Sequence, residues 1–185
     1  MKITRRLLLP LLVALVTCFS LVSPAESATY PVGYGSVNPT PYIDAYNRIG
    51  GAARIGYAYN TVHTWGSGCI QDFSGGWSGK SAIMQRNCSG SAFYVVYLQW
   101  AYIERTWGGN AVNVIGYPTG DDFRWGAGWA QHFSGGTQSA TTLARPDQNN
   151  TVRQVWGGIR AYWIGALGGA AGSIGYPLSE EYAWN

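Results

Sequence analysis

Apolar residues recur at helical spacing in three stretches, and each stretch ends at a pair of glycines. Ile43, Tyr46 and Ile49 follow one another at three-residue intervals, which is typical of one face of a helix. Thr40 suits the N-cap position and Pro41 the first turn. The predicted helices run from Thr40 to Gly50-Gly51, from Tyr97 to Trp107 before Gly108-Gly109, and from Ile159 to Leu167 before Gly168-Gly169.

An internal period indicates tandem units. The segment Ile115-Gly116-Tyr117-Pro118 has a counterpart 60 positions earlier at Ile55-Gly56-Tyr57, and another 59 positions later at Ile174-Gly175-Tyr176-Pro177. Periods of this length are typical of stacked supersecondary units that bury their apolar faces against one another. Aromatic residues that recur in register are predicted to form the shared core. They are Trp65, Trp125 and Trp184, Phe73 and Phe133, and Tyr57, Tyr117 and Tyr176.

Alternating apolar and polar residues predict two β-hairpins between the helices. The first covers Gly68 to Val96 and the second covers Gly128 to about Asp147. We therefore predict an α+β fold in which each repeat has a short helix, a Gly-Gly/Ile-Gly-Tyr-Pro turn and a β-hairpin. A propeller-like or pseudo-symmetric β-rich domain is the alternative.

The start of the chain has the features of a secretory signal peptide. A charged opening precedes an apolar run and a small-residue cleavage pattern; these are residues 2–6, 7–16 and 25–27. We assign residues 1–27 to the signal peptide, 28–39 to an extended leader, and 40–185 to a single domain of two full repeats with partial units at both ends. The expected product is a soluble exported protein that retains no membrane span after cleavage.

Removal of the predicted signal peptide makes the chain nearly neutral. The formal net charge falls from +3 to +1, because the signal carries three of the twelve basic residues and one of the nine acidic ones. Nucleic acids and anionic lipids are bound by clustered Lys and Arg side chains, so neither partner is expected. The abundance of Gly, Trp and Tyr instead suits tight turns between aromatic-rich elements of a secreted domain.

The two cysteines of the predicted mature chain, Cys69 and Cys88, are expected to pair. Export places them where disulfides persist, and a hairpin centred between Ser78 and Gly79 would put them directly opposite each other. The closed loop would contribute roughly 3 kcal/mol on the chain-entropy model. In the second unit Trp129 stands in place of Cys69, which indicates packing in place of a covalent link. Metal binding is disfavoured because no CxxC spacing is present.

The motifs taken together resemble the LGFP repeat of actinobacterial cell-envelope proteins. The resemblance is carried by Gly158 to Tyr162, by the segment from Gly168-Gly169 through Ile174-Gly175-Tyr176-Pro177 to Glu181, and by the Gln-x-Phe-Ser-Gly-Gly segments at Gln71 and Gln131. It implies a secreted, non-catalytic module that associates with the cell wall and is often appended to envelope enzymes such as mycolyltransferases. No cofactor is implied.

Candidate chemistry is sparse. The pairs Asp121-Asp122 and Glu180-Glu181 occupy equivalent places after Tyr-Pro, but adjacent side chains on an extended segment point to opposite sides. We interpret them as acceptors of backbone N–H groups at the turn, with acid–base catalysis or a calcium site as the alternatives. The histidines, His63 and His132, are not equivalent in register, so they are expected to be exposed or hydrogen-bonded. A nucleophile with a base and an orienting group is therefore not expected.

Trp77 stands out among the aromatic residues because glycines and serine surround it at a predicted hairpin tip. An exposed indole suits stacking on a sugar ring. Trp77, Trp129, Asp121 and Asp122 are the candidate ligand contacts. The expected function is non-enzymatic binding of envelope polysaccharide; the alternatives are a secreted protein-interaction or scaffolding module, and then a small hydrolase. Self-association through unpaired repeat ends is a further expectation.

Overall fold

The computed structural model describes residues 37, 39–76 and 79–181, and it has a mixed α+β fold with two antiparallel sheets. The predicted signal peptide, most of the predicted leader, Trp77 and Trp184 lie outside these residues. The α+β class is thus confirmed. Neither sheet of the described chain closes into a barrel. No helix in the described ranges is long and apolar enough to cross a membrane.

The first sheet is built around the predicted hairpin, with two further strands from the segment before it. Its main strand order is β1-β3-β4-β5, and β2 also pairs with β3. The strands are β1 (Gly56–Ala58), β2 (His63–Trp65), β3 (Gly68–Gly76), β4 (Gly79–Gln85) and β5 (Ala92–Val95).

The second sheet has the same arrangement. Its order is β6-β8-β9-β10, with β7 also paired to β8. The strands are β6 (Gly116–Pro118), β7 (Phe123–Arg124), β8 (Gly128–Gly135), β9 (Ala140–Pro146) and β10 (Arg153–Trp156). Tyr57 pairs with Ser74 in the first sheet, and Tyr117 with Ser134 in the second. The two sheets therefore share both strand order and register at this position.

The helices lie close to their predicted places. They are α1 (Thr40–Arg48), α2 (Gly51–Ile55), α3 (Tyr97–Trp107), α4 (Ala111–Val114) and α5 (Gly157–Gly165), with single 3-10 turns at Arg86–Cys88, Gly108–Asn110 and Gly169–Ala171. The predicted N-cap at Thr40 was wrong, because Pro39 is the cap and no side chain bonds the helix start. The last helix begins two residues before Ile159, since Gly157, at φ +56°, lets the chain turn directly from β10 into the helix.

The glycine of the Ile-Gly-Tyr segments is required where the chain passes from helix to sheet. Gly56 and Gly116 have φ of +79° and +81°. A Cβ at either position would lie 2.0 Å from the carbonyl oxygen of Ser74 or Ser134. This close approach lets β1 and β6 pair as strands, where a turn was expected. In the third copy, Ile174–Tyr176, no strand forms within the described residues.

The core residues on the two faces of each sheet pack against different helices, so helices and sheets alternate through the molecule. Phe73 and Ile83 share one buried cluster with residues of α1 and α2. The other face of the first sheet packs with α3 and α4, and the same cluster includes Phe133 and Leu143 of the second sheet. The far face of the second sheet packs on Trp163 of α5. The α3–α4 pair therefore lies between the two sheets and contributes to both.

The recurring aromatic residues divide into two groups. Phe73, Phe133 and Tyr117 are buried, as predicted. Trp65 and Trp125, and with them Tyr57 and Tyr176, are only partly buried, but Trp65, Trp125 and Tyr176 pack against the buried clusters, in keeping with their predicted place in the shared core. The two indoles lie in or beside the turns that precede β3 and β8, where they cover the edge of a cluster. Their ring centroids are 5.1 Å from those of Trp100 and Trp163 respectively.

The Tyr117 side chain fastens the second half of the chain to the first. Its hydroxyl donates to the carbonyl oxygen of Trp65 and accepts the N–H of Gly68 at 2.6 Å. Gly68 is needed there because a Cβ would lie 2.5 Å from the Tyr117 ring. Tyr176 makes the corresponding bond to the carbonyl oxygen of Trp125.

Candidate functional site

The predicted disulfide is present, although the predicted strand register was wrong. Cys69 and Cys88 are bonded, with their Cα atoms 4.8 Å apart. Cys69 pairs with Gln85 across the sheet, and Cys88 lies beyond β4 in a 3-10 turn. Asn87 and Cys88 have φ of +53° and +51°, so this turn carries Cys88 back to Cys69.

Trp129 occupies the position equivalent to Cys69, and two arginines flank its ring. Arg124 of β7 and Arg145 of β9 are its direct cross-strand partners. Their guanidinium carbons lie 5.4 and 5.7 Å from the ring centroid, within cation–π range. The two arginine side chains cover the Trp129 ring and hinder its stacking on a sugar. The exposed part of the ring remains available to contact a ligand.

A cleft of about 400 Å³ opens beside Trp129, where the two halves of the molecule meet. Tyr97 and Leu98 come from the start of α3, and Arg54 comes from α2. Arg145 and Asn150 contribute guanidinium and amide groups from the opposite side. The lining residues are Arg54, Val96, Tyr97, Leu98, Trp129, Arg145, Asp147 and Asn150. A volume of this size is within the range of small-ligand pockets.

A buried ion pair supports the wall of the cleft. Nη2 of Arg145 lies 3.8 Å from Oδ2 of Asp122, and both side chains are nearly inaccessible to solvent. Desolvation raises the pKa of Asp122 above its usual value, whereas the charges of Arg145 and Arg54 lower it. Nη1 of Arg145 donates to Asn150 Oδ1 at 3.1 Å, which fixes the guanidinium in place. Asp122 is thus close to the candidate site but serves to hold Arg145.

Asp121 is a tether between elements of the first half and the segment after β6. Arg48 holds its carboxylate through two bonds, Nε to Oδ2 at 2.6 Å and Nη2 to Oδ1 at 3.1 Å. Its Oδ1 also accepts the N–H of Tyr94 at 2.9 Å. The prediction that one acid accepts backbone N–H groups was right in kind but wrong in place, because the donor belongs to β5 and not to the turn.

The glutamate pair makes a corresponding contact further along the chain. Oε2 of Glu180 accepts the N–H of Gln154 at 3.2 Å and the hydroxyl of Tyr102 at 2.8 Å. Oε1 of Glu181 accepts the N–H of Trp156 at 2.6 Å. The two backbone donors, Gln154 and Trp156, are on β10, the outer strand of the second sheet. Each acidic pair therefore contacts the last strand of the preceding sheet, which explains why the acids recur after Tyr-Pro.

The two histidines occupy different environments. His63 is exposed, and its Nε2 lies 4.0 Å from Asp72 Oδ2. The Nδ1 atom of His132 is 2.8 Å from the Thr142 hydroxyl, which in turn accepts a bond from Arg160 Nε at 2.7 Å. Burial and the nearby Arg160 charge lower the pKa of His132 to about 4. With His132 neutral, its Nδ1 can accept a hydrogen bond from the Thr142 hydroxyl.

The His132–Thr142 pair is a weak candidate for nucleophilic catalysis. Thr142 is fully buried, so a substrate carbonyl cannot reach its hydroxyl. A histidine with so low a pKa is also a poor general base near neutral pH. In the parts of the chain that are described, no three His, Cys, Asp or Glu side chains converge as metal ligands.

The structure brings only part of the predicted ligand set together. Trp129 lines the cleft and Asp122 supports it, whereas Asp121 contacts Arg48 and β5. Sequence reasoning missed Arg54, Tyr97, Arg145 and Asn150. Arg145 could have been found from Trp129, since a strand partner of an aromatic residue can be inferred from the hairpin register, but the others come from separate elements.

Comparison with known proteins leaves the chain without an assigned family. No protein-family model matches it, and no curated protein matches it.

Proposed function

We propose that this chain is a secreted, non-catalytic module that associates with the bacterial cell wall by binding envelope polysaccharide. The observation that carries the proposal is the cleft at the junction of the two halves. It combines exposed aromatic surface from Tyr97 with the exposed polar groups of Asp147 and Asn150. Carbohydrate recognition needs this combination, because sugar rings present apolar faces and a rim of hydroxyl groups.

The tandem-repeat organisation is part of the same proposal. The equal strand order of the two sheets and their pairing at positions 60 residues apart support it. So does the recurring insertion of Tyr117 and Tyr176 next to Trp65 and Trp125. We propose that these units are LGFP-like repeats, because their motifs resemble those of that family. This resemblance is the reason for proposing association with the cell wall.

We expect no catalytic turnover. Asp122 is engaged with Arg145, and Thr142 beside His132 is buried. A screen of purified protein against cell-wall glycans, peptides and esters is the measurement. Turnover that disappears in His132→Ala or Asp122→Asn would contradict the proposal and favour the hydrolase alternative.

The binding site can be tested with a matched pair of tyrosines. Tyr97 lines the cleft, and Tyr59 is similarly exposed but lies outside it. In a pulldown on insoluble cell-wall polysaccharide, we expect Tyr97→Ala to bind roughly tenfold more weakly than the parent, as the loss of one aromatic contact implies. Tyr59→Ala should bind like the parent. Equal melting temperatures would show that both variants are folded.

Some results would contradict the location of the site, and another would contradict the polysaccharide function itself. Equal binding by the parent and Tyr97→Ala would exclude the cleft, and a loss confined to Trp77→Ala would place the site at that residue. If the parent itself is not retained on cell-wall polysaccharide, the polysaccharide function fails. An envelope protein would then be the preferred partner.

A further inference from the structure

The last helix carries an apolar surface that nothing in the described chain covers. Ile159 and Tyr162 of α5 are 59% and 64% exposed, and Ile174 in the following turn is 60% exposed. Leu178, four residues further on, is 94% exposed. We call these four residues the α5 surface. Contiguous apolar surface of this kind is unusual on a monomer and marks an interaction site.

The equivalent residues in the two earlier helical segments are covered. Tyr42 and Tyr102, which precede Tyr162 by multiples of 60 positions, are 0% and 5% exposed. Ile55 and Ile115 correspond to Ile174 and are 0% and 1% exposed. In each case the sheet that follows the helix supplies the cover, through Phe73 in the first half and Phe133 in the second. The α5 surface is therefore built like a buried face.

The opposite end of the molecule has a different character. The exposed positions of α1 are Thr40, Asp44, Asn47 and Arg48, all of which are polar. Both faces of each sheet are already packed against helices of the same chain. Within the described residues, a second copy therefore offers neither a free sheet face nor an apolar α1 end with which to cover α5. The matching apolar surface that it does offer is its own α5 surface.

We propose that two copies of this chain associate through their α5 surfaces about a two-fold axis. A face that meets its own copy requires self-complementarity. An apolar groove of about 170 Å³ runs between α5 and the segment 174–177, and the residues that line it carry no charge. The projecting Leu178 side chain lies at its edge, so each copy has both a projection and a groove. The groove itself brings no like charges together, and Glu180 and Glu181, which lie beside Ile159 and Leu178, already accept hydrogen bonds within their own chain.

The test is the solution mass of the purified exported chain, measured by sedimentation velocity over a wide range of concentration. The parent should be a dimer at high concentration. Tyr162→Glu and Ile174→Asp should each weaken dimerisation by at least roughly tenfold, because each puts a charge into the centre of the interface. Tyr59→Glu is the matched control, since Tyr59 is an exposed aromatic residue away from α5, and it should dimerise like the parent.

Each other outcome would overturn the proposal. A parent that stays monomeric at every concentration would exclude the second copy and leave the α5 surface to another protein. A mass that grows beyond two copies would indicate head-to-tail contacts, which a two-fold axis excludes. Variants that dimerise like the parent would place the interface elsewhere. Ile159→Arg provides an independent substitution on the same surface, and melting curves confirm that the variants are folded.

Discussion

The two sheets share a backbone plan but secure the start of their long strand by different chemistry. In the first sheet Cys69 is covalently linked to Cys88. In the second, Trp129 takes the same place and packs between Arg124 and Arg145. The parts that stay the same are those that the backbone requires, such as Gly56 and Gly116. Side chains that lie outside the shared contacts are free to differ, and the candidate cleft is found beside one of them.

A second exchange supports the same lesson. His63 and Asp72 approach each other across β2 and β3. At the equivalent positions of the second sheet, the rings of Phe123 and His132 have centroids 5.0 Å apart. A polar pair in one sheet is thus an aromatic pair in the other. Cross-strand neighbours change together because each stabilises the other.

The largest effect is expected from the phenylalanines that the sheets have in common. Phe73→Ala and Phe133→Ala should each lower the free energy of unfolding by about 3–5 kcal/mol, because each leaves a cavity in a buried cluster. Denaturant unfolding of the two variants measures this directly. Similar losses would support structural equivalence of the sheets. A loss below about 1 kcal/mol in either variant would show that its cluster collapses around the gap and that the two sheets are not equivalent.

The disulfide should contribute somewhat less. Replacing both Cys69 and Cys88 by Ala should lower stability by about 3 kcal/mol, as expected for a loop of this length. Trp129→Ala, at the equivalent place, should lose about 1–2 kcal/mol from cation–π contacts in a partly buried site. A reductant is the control: it should destabilise the parent and leave the double variant unchanged. If the reductant has no effect on the parent, the covalent link is not stabilising.

A further effect concerns pH and is confined to the second sheet. The pKa of His132 is lowered to about 4 from 6.5, so the folded protein holds neutral His132 while the unfolded chain binds a proton more readily. The corresponding stability is present above pH 6.5 and is lost as the pH falls towards 4. We expect this loss to be on the order of 2 kcal/mol, allowing for solvent screening.

Unfolding midpoints measured between pH 7 and 4 give the test. His132→Gln should have a flatter profile than the parent over this interval. The matched control is His63→Gln, because His63 is exposed and lies outside the aromatic cluster around His132. A profile of His132→Gln that parallels the parent would show that other groups cause the acid sensitivity.

The elements that the sequence predicts well are those set by local chemistry. The α3 boundaries were correct because Gly108 follows Trp107 directly and ends the helix with φ of +53°. The predicted hairpin register was wrong by three residues because the prediction placed both cysteines on paired strands. Cys88 lies in a turn after β4, and an irregularity between Phe73 and Gly76 shifts the pairing again. Neither feature leaves a pattern in the sequence.

The cleft could be predicted less well than the fold. Its walls come from α2, α3, β8, β9 and the loop after β9, and only tertiary packing brings these elements together. Trp129 was selected because it does not recur, which is an effective signal when the recurring residues maintain the fold. That criterion could not find Arg54 or Tyr97, whose surroundings depend on how the second half sits against the first.

The position of Tyr117 also affects how the chain matures. Residues 79–95 complete the first sheet, yet one face of it stays open until α3, α4 and Tyr117 arrive. If the chain is exported amino end first, one apolar face of the first sheet stays exposed while about twenty further residues emerge. In that case, closure of the Cys69–Cys88 bond before the later residues emerge would hold β3 and β4 in register during that interval. The half of the molecule that emerges first is also the half that contains the Cys69–Cys88 disulfide.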